Sequence, residues 1–157
     1  MLEQLQLREA VWQDLPEMLV LFRETILQVN TAHYSAEQLR VWASAADHGD
    51  RWAKKMQEQY VLVATLDERV VGFGSLRQDY IDLLYVHKDH QGQGIAGRIY
   101  EVLESRARYL GMQALATDAS ESAKPFFASK GFVFVATRNY LLQDVAISNS
   151  RMIKSLH

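Results

Sequence analysis

The densest group of chemically informative residues is a glycine-rich stretch, His90-Gln91-Gly92-Gln93-Gly94-Ile95-Ala96-Gly97. It follows an apolar run from Tyr80 to Val86, and it precedes a segment whose apolar residues recur at helical spacing. Glycines allow several main-chain amides to point towards one place, and a helix N-terminus adds about half a positive charge. The stretch therefore predicts a phosphate-binding loop between a strand and a helix.

The nature of the ligand is open at this point. Gly92, Gly94 and Gly97 match the G-x-G-x-x-G fingerprint of dinucleotide-binding proteins, and Asp118 lies 21 residues after Gly97, where a ribose-binding carboxylate is expected. However, five residues separate the preceding strand from Gly92, and only 39 residues follow Asp118. These are too few for the second half of a doubly wound sheet, so we disfavour this interpretation. A glycine-rich turn without a ligand is another alternative.

The same loop, written Gln91-x-x-Gly94-x-Ala96, resembles the pyrophosphate loop of the GNAT superfamily of acyl-coenzyme A-dependent N-acetyltransferases. A second segment, Ala123 to Phe132, matches the A-x-x-x-Y/F-x-x-x-G-F pattern near the end of that family's fold, and the two motifs lie 36 residues apart. The resemblance implies one N-acetyltransferase domain over residues 1–157, a small member of bacterial type. Its fold would be mixed α/β (α+β), with a mostly antiparallel central sheet of six to seven strands flanked by about four helices.

The resemblance also implies acetyl-CoA as the acyl donor. The amides of the loop would hold the pyrophosphate, the pantetheine would pair with the strand that ends at Val86, and the Leu84 amide would polarise the thioester carbonyl. A fixed donor at a developing oxyanion is commonly worth about 3 kcal/mol. The expected cofactor-binding residues are Leu84, Tyr85, Val86, Gln91, Gly92, Gln93, Gly94, Ile95, Ala96, Ser120 and Phe127.

The expected catalytic residues are Tyr80, Asp82 and Leu84. An attacking amine must be neutral, so a carboxylate acting through water, or a group that titrates near the working pH, should lie beside it. By the two-residue period of a strand, these three positions share a face with Val86. Tyr80 would occupy the position where some family members carry a catalytic Glu. The alternative is that Asp82 bonds a neighbouring turn and that Tyr80 only packs.

Protonation of the leaving thiolate is not assigned, because Phe127 stands where many family members carry a Tyr. Water can serve at moderate cost, since a free thiol has a pKa of about 8.5. Tyr80, Ser120 and Ser122 are other candidate donors. The same departure leaves open a coenzyme-binding sensor without turnover.

The expected acceptor-binding residues are His33, Tyr34 and Trp42, because the family forms its acceptor pocket largely from the loop between the first two helices. They would supply an aromatic wall with one titratable group. The alternative for Tyr34 is a hydrophobic staple beside the helix that starts at Ser35. We predict acetyl transfer to a primary amine, with a small-molecule acceptor favoured and a protein or peptide acceptor as the alternative.

Composition narrows the class of protein further. The 157 residues carry a net charge of −2 and no cysteine, so thiolate metal sites and a Cys-linked acyl-enzyme are excluded, and nucleic acid is not an expected partner. The five histidines form no H-x-x-x-H pair, and we expect no metal. No apolar run reaches the roughly 18 residues of a membrane span. We therefore expect a cytoplasmic protein without membrane contact, for which a homodimer is compatible with the sequence.

The elements that position these residues follow from periodicity and capping signals. Strands are predicted at Leu5–Arg8, Tyr60–Leu66, Arg69–Arg77, Tyr80–Val86 and Met112–Thr117, with the last strands beginning at Phe132. Helices are predicted from Asp14 to about Val29, from Ser35, at Asp50–Gln59, at Gly94–Leu110 and at Ser122–Lys130. The first two are expected to start at reciprocal capping boxes, Asp14 with Glu17 and Ser35 with Gln38. Gly72 and Gly74, inside a strand, predict a bulge or the close approach of another segment.

Overall fold

A seven-stranded sheet organises residues 4–157, the part of the chain that the computed structural model describes; residues 1–3 of the predicted domain lie outside it. The strands are β1 (Gln6–Glu9), β2 (Tyr60–Leu66), β3 (Arg69–Arg77), β4 (Tyr80–Val86), β5 (Ala114–Ala119), β6 (Val133–Leu142) and β7 (Val145–Ser155). Their order is β1-β2-β3-β4-β5-β7-β6, and β4–β5 is the parallel pair. The predicted mixed fold with a mostly antiparallel sheet is confirmed, and it is incompatible with the doubly wound dinucleotide fold.

Within residues 4–157, five helices flank the sheet, where about four were expected. They are α1 (Leu15–Val29), α2 (Ala36–Ala43), α3 (Gly49–Glu58), α4 (Ile95–Tyr109) and α5 (Lys124–Ser129), with 3-10 turns at Trp12–Asp14, Ser44–Asp47 and Lys88–His90. None of the helices in this part of the chain is both long enough and apolar enough to cross a membrane.

The β2–β3–β4 meander has the bounds that the sequence predicts. Asp67 and Glu68 form its first turn with φ of 50° and 65°, which is the left-handed geometry of tight hairpin turns. The predicted fifth strand is displaced to Ala114–Ala119, because Gly111 (φ +79°) and Met112 close the end of α4, with the Met112 amide donating to the Ala107 carbonyl.

The start of α1 differs from the predicted capping box. The Asp14 carboxylate accepts hydrogen bonds from the Arg8 guanidinium (2.7 and 2.8 Å) and from the Val11 amide (2.7 Å), while Glu17 accepts from the Val70 amide (2.9 Å). Both carboxylates thus fasten α1 to neighbouring strands and loops instead of to its own first turn. The second predicted box, at Ser35 and Gln38 of α2, does form.

Two apolar layers cover the sheet. Helices α4 and α5 pack on one face, and helices α1, α2 and α3 pack on the other. Gly72 and Gly74 let α4 lie directly on β3, since a Cβ on Gly74 would lie 2.8 Å from the Cγ2 atom of Ile99. The predicted close approach at these glycines is therefore confirmed.

A bulge in β4 changes which side chains share a face. Ser75 pairs with Leu83 and Leu76 pairs with Ile81, so Asp82 is the extra residue. As a result Leu84 and Val86 pack on the α4 side, whereas the Asp82 side chain reaches α3 on the opposite side. The prediction that Tyr80, Asp82, Leu84 and Val86 share one face is wrong, because a strict two-residue alternation does not survive an inserted residue.

Strands β4 and β5 separate almost as soon as they meet. Their register contains only two pairs, Tyr80 with Ala116 and Ile81 with Thr117. Beyond them, residues 82–86 of β4 have no strand partner on the β5 side within the described chain. The sheet is therefore open in its middle, at the C-terminal ends of both strands.

Candidate active site

The opening between β4 and β5 is a cavity of about 500 Å³. Its walls come from β4, the glycine loop, the end of β5, α5, the α1–α2 region and the β6–β7 hairpin. The sequence-predicted residues that line it are Tyr34, Trp42, Tyr80, Asp82, Leu84, Tyr85, Val86, Gln91, Gly92, Gly94, Ile95, Ala96, Ser120 and Phe127. Gln93 and His33 are absent from the lining, and His33 is exposed on the α1–α2 loop.

The glycine loop forms one end of the cavity. Gly92 (φ +71°) and Gly94 (φ +86°) adopt the left-handed conformation that glycine tolerates best. The Arg98 amide donates to the Gly94 carbonyl (3.2 Å), so the amides of Ile95, Ala96 and Gly97 precede the hydrogen bonding of α4. A helix N-terminus lined by such amides is suited to an anion.

The edge of β4 next to this loop presents main-chain groups to the cavity. The His87 amide donates to the Val71 carbonyl (2.8 Å), which makes this a hydrogen-bonded pair of the β3–β4 ladder. By the antiparallel alternation, the N–H and C=O groups of Leu84 and Val86 point away from β3. The Val86 carbonyl already accepts from the side chains of Gln91 (2.6 Å) and Thr25 (3.1 Å). Leu84 is therefore the position where an edge amide and carbonyl face the cavity.

Asp82 stands at the bulge with one oxygen occupied. Lys55 Nζ (2.5 Å) and Gln59 Nε2 (2.9 Å) both lie on its Oδ2 atom. Among residues 4–157, no group donates to Oδ1. The carboxylate is thus oriented by two side chains near α3 and β2, and its second oxygen is available to a bound molecule.

Tyr80 belongs to a different cluster, centred on Asp118. The Tyr80 hydroxyl donates to Asp118 Oδ2 (2.7 Å), and Arg151 holds both oxygens of that carboxylate (2.6 and 3.1 Å). Arg138 adds a further contact to Oδ2 at 2.8 Å. Burial, and then the hydrogen bond to Asp118, raise the pKa of Tyr80. Burial alone would raise the pKa of Asp118, but the bonds from Arg151 and Tyr80 and the charge of Arg138 lower it overall.

The sequence indicates Asp118 only as a ribose-binding carboxylate of a dinucleotide site, and it does not indicate either arginine. Arg138 and Arg151 lie on the last two strands, far along the chain from Asp118, and neither belongs to a motif. An acidic residue that closes a buried strand, followed by arginines on later strands, was the available signal. It cannot be interpreted without the strand order.

Tyr34 and Trp42, two of the residues predicted to bind the acceptor, line the cavity next to each other. The Tyr34 ring meets the Trp42 ring edge to face at 5.4 Å, and its hydroxyl donates to the Ser148 carbonyl (3.3 Å) and accepts from the Glu121 amide (3.0 Å). Burial raises the pKa of Tyr34. Tyr34 therefore joins the α1–α2 loop to the β6–β7 hairpin, and it does more than cover the start of α2.

Phe127 is 3% exposed and packs against Phe126 and Phe132 at ring distances of 5.3 and 5.1 Å. Its ring cannot donate a proton. Ser120 caps the turn before α5 by accepting from the Ala123 amide (3.2 Å), whereas the buried Ser122 Oγ atom has no hydrogen-bond partner among the described residues.

A comparison with known families identifies the fold and site together. The family described as "Acetyltransferase (GNAT) domain" matches residues 30–147, most of the chain. The chain belongs to the GNAT family. It is accordingly an acyl-CoA-dependent N-acetyltransferase, as the two motifs predict.

Individual relatives agree with this membership. Over 129 residues this GNAT protein is 30% identical to the uncharacterized N-acetyltransferase YafP of Escherichia coli K12, covering 82% of the chain and 81% of YafP. A GCN5-related N-acetyltransferase from Rhodopseudomonas palustris is 36% identical, with a TM-score of 0.93 over 96% of this chain and 95% of that one. PaiA N-acetyltransferase of Thermoplasma acidophilum, solved with coenzyme A, shares the fold at 16% identity, with a TM-score of 0.80 over 96% and 98% of the two chains.

Proposed function

We propose that this GNAT acetyltransferase transfers the acetyl group of acetyl-CoA directly to the primary amine of a small molecule. The observation that carries the proposal is the pairing of two groups at the open edge of β4. The Leu84 amide faces the cavity, and Asp82, two residues earlier on the same strand, lines the cavity with a carboxylate oxygen that accepts no hydrogen bond from the described residues. One group suits a developing oxyanion and the other suits the proton of an amine.

The described residues fit the donor. The amides of Ile95, Ala96 and Gly97 at the start of α4 suit the pyrophosphate, as do the left-handed glycines before them. The unpaired edge at Leu84 suits an extended amide-containing arm, which would pair with it as another strand would. When bound, acetyl-CoA supplies an activated acetyl thioester.

The chain itself then has to polarise a carbonyl and remove a proton. The Leu84 amide would donate to the carbonyl oxygen as negative charge develops there, an effect commonly worth about 3 kcal/mol. Asp82 Oδ1 would accept a proton from the amine, directly or through one water, while Lys55 and Gln59 hold the carboxylate in place. The leaving thiolate would take its proton from water or by way of the Ser122 hydroxyl, because Phe127 offers none.

Three hydrogen bonds support a small acceptor over a protein segment. They join the segment from Tyr34 to Ser44, which contains α2, to the β6–β7 hairpin, and the first of them lies at the cavity wall: Tyr34 to Ser148 (3.3 Å), Gln38 to Ala146 (2.9 Å) and Gln143 to Ser44 (2.8 Å). An extended polypeptide passing between α2 and the hairpin would have to break them. A small amine could enter without doing so.

The proposal is tested by measuring thiol release from acetyl-CoA with the purified chain. The panel contains small primary amines, including free amino acids, and unstructured peptides with free N-termini or lysines. We expect turnover of small amines and a kcat/KM at least tenfold lower for every peptide. Better turnover of peptides would assign a protein acceptor, and coenzyme binding without thiol release over the whole panel would indicate a sensor.

A further inference from the structure

Charged side chains cluster in and behind the wall of the cavity. Two carboxylates, Asp82 and Asp118, face three cations, Lys55, Arg138 and Arg151. Lys55 pairs with Asp82, and Arg151 engages both oxygens of Asp118. Asp118 is therefore shared by two arginines, and Arg138 is the one of the three cations that lines the cavity.

Arg138 is also the cation with free hydrogen-bonding groups at the cavity wall. Its Nη1 atom contacts Asp118 (2.8 Å) and, at 3.5 Å, the Asn149 side chain. Among the described residues, its Nη2 and Nε groups donate to no acceptor. Its side chain is 45% exposed and lines the cavity, whereas Asp118, which anchors it, is 6% exposed.

We propose that the acceptor carries a carboxylate in addition to its amine, and that the free edge of the Arg138 guanidinium binds this carboxylate. This inference rests on the proposed function and names its substrate class, an amino acid. A planar guanidinium binds a carboxylate through two parallel N–H donors, and such charge-assisted bonds are stronger than neutral ones. The Asp118 anchor leaves two such donors directed away from the anchoring carboxylate.

The charge of Arg138 also suits the chemistry of the amine. A positive charge nearby disfavours an ammonium group and favours the neutral amine that attacks. A carboxylate on the acceptor offsets that charge during binding. The aromatic wall formed by Tyr34, Trp42 and Tyr140 would cover an apolar side chain, so we take phenylalanine as the first probe.

The test compares phenylalanine with 2-phenylethylamine, which lacks the carboxylate, in wild type, Arg138→Gln and Arg138→Lys. We expect wild type to prefer phenylalanine. Arg138→Gln should raise the KM for phenylalanine by about 10- to 100-fold, which is the effect expected when a hydrogen bond to a charged group is lost. The acceptor KM for 2-phenylethylamine and the KM for acetyl-CoA should change less than threefold. Arg138→Lys should restore part of the preference. Arg69→Gln, at the exposed first residue of β3, is the matched control.

Binding without turnover separates this inference from the proposed function. Calorimetry with N-acetylphenylalanine and N-acetyl-2-phenylethylamine measures carboxylate recognition directly. The inference is supported if N-acetylphenylalanine binds Arg138→Gln more weakly than it binds wild type, while N-acetyl-2-phenylethylamine binds both proteins equally. This result counts even where no thiol release is seen. The inference is overturned if wild type binds both compounds with equal affinity, or if Arg138→Gln loses the same factor of affinity for both. If amines with and without a carboxylate are acetylated equally well, the proposed function is supported and the inference about the carboxylate is not.

Discussion

At the scale of single residues, the site depends on how two acidic side chains are held. Asp82 has both of its donors on one oxygen, which leaves the other oxygen without a hydrogen bond from the described residues. Asp118 has its oxygens occupied by two arginines and Tyr80. The first arrangement suits a group that moves a proton, and the second suits a fixed anchor. Tyr80 remains a predicted catalytic residue, but its raised pKa and its bond to Asp118 favour a supporting role.

We expect Asp82→Asn to lower kcat by about 100-fold, because the amide cannot accept the amine's proton as a carboxylate does. The KM for acetyl-CoA should stay within threefold, since the loop that we propose binds the pyrophosphate is unchanged. Steady-state thiol release measures both. The matched control is Asp67→Asn, at an exposed turn where Asn also tolerates positive φ. Unchanged kcat in Asp82→Asn together with a large loss in Tyr80→Phe would move the base to Tyr80.

The partners of these residues could not be predicted from the sequence. Asp82 and Tyr80 could be found because they stand on a strand whose limits the sequence predicts. Lys55, Arg138 and Arg151 could not, because their roles depend on which strands and helices lie together. A charged residue on an amphipathic helix or an edge strand gives the same pattern whether or not it reaches a buried carboxylate.

Among the helices and strands, the bounds that could be predicted are those set by neighbouring residues in the sequence. The β2–β3–β4 meander is bounded by polar turns, and the start of α2 is defined by a reciprocal cap, so both could be predicted from neighbouring residues. The bulge at Asp82 could not, since one inserted residue leaves the composition of β4 typical of a strand. The missed bulge explains why the predicted shared face of β4 was wrong.

The glycine loop provides a test at this scale. Gly94→Ala should raise the KM for acetyl-CoA by at least tenfold, because a Cβ at φ +86° strains the turn that presents the amides of α4. Gly111→Ala is the matched control, since Gly111 has a similar φ of +79° at the other end of the same helix. Gly111→Ala should lower the free energy of unfolding, measured by urea denaturation, about as much as Gly94→Ala does. Its KM for acetyl-CoA should stay near that of wild type. Equal KM values in the two variants would contradict the loop assignment.

At the scale of the whole molecule, the C-terminal strand is tied back to the central helix. Glu104 of α4 accepts hydrogen bonds from Lys154 of β7 (2.5 Å), from Tyr100 (2.6 Å) and from Arg108 (3.0 Å). Burial alone would raise the pKa of Glu104, but these donors outweigh it and lower the pKa to about 2. The network fixes β7, which also carries the cavity residues Ser148 and Asn149.

The pH dependence of stability follows from this pKa. A carboxyl group whose pKa is lower in the folded state stabilises the protein above its unfolded pKa of 4.5, and that stabilisation is lost as pH falls towards 2. Wild type should therefore lose about 2 to 3 kcal/mol more unfolding free energy than Glu104→Gln between pH 5 and pH 2. Urea denaturation at several pH values measures the difference. Glu101→Gln, at an exposed position of the same helix, should follow wild type; parallel curves for wild type and Glu104→Gln would refute the assignment.

The divergence of β4 and β5 has a thermodynamic consequence. If acetyl-CoA binds in the gap between β4 and β5 as proposed, it supplies the open edge of β4 with a partner that the protein alone does not provide. By mass action, a ligand that binds only the folded state adds about 2.7 kcal/mol of stability at a concentration 100 times its Kd. The melting temperature of this enzyme should therefore rise with donor concentration, so that its persistence in a cell depends on the supply of acetyl groups as well as on its own sequence.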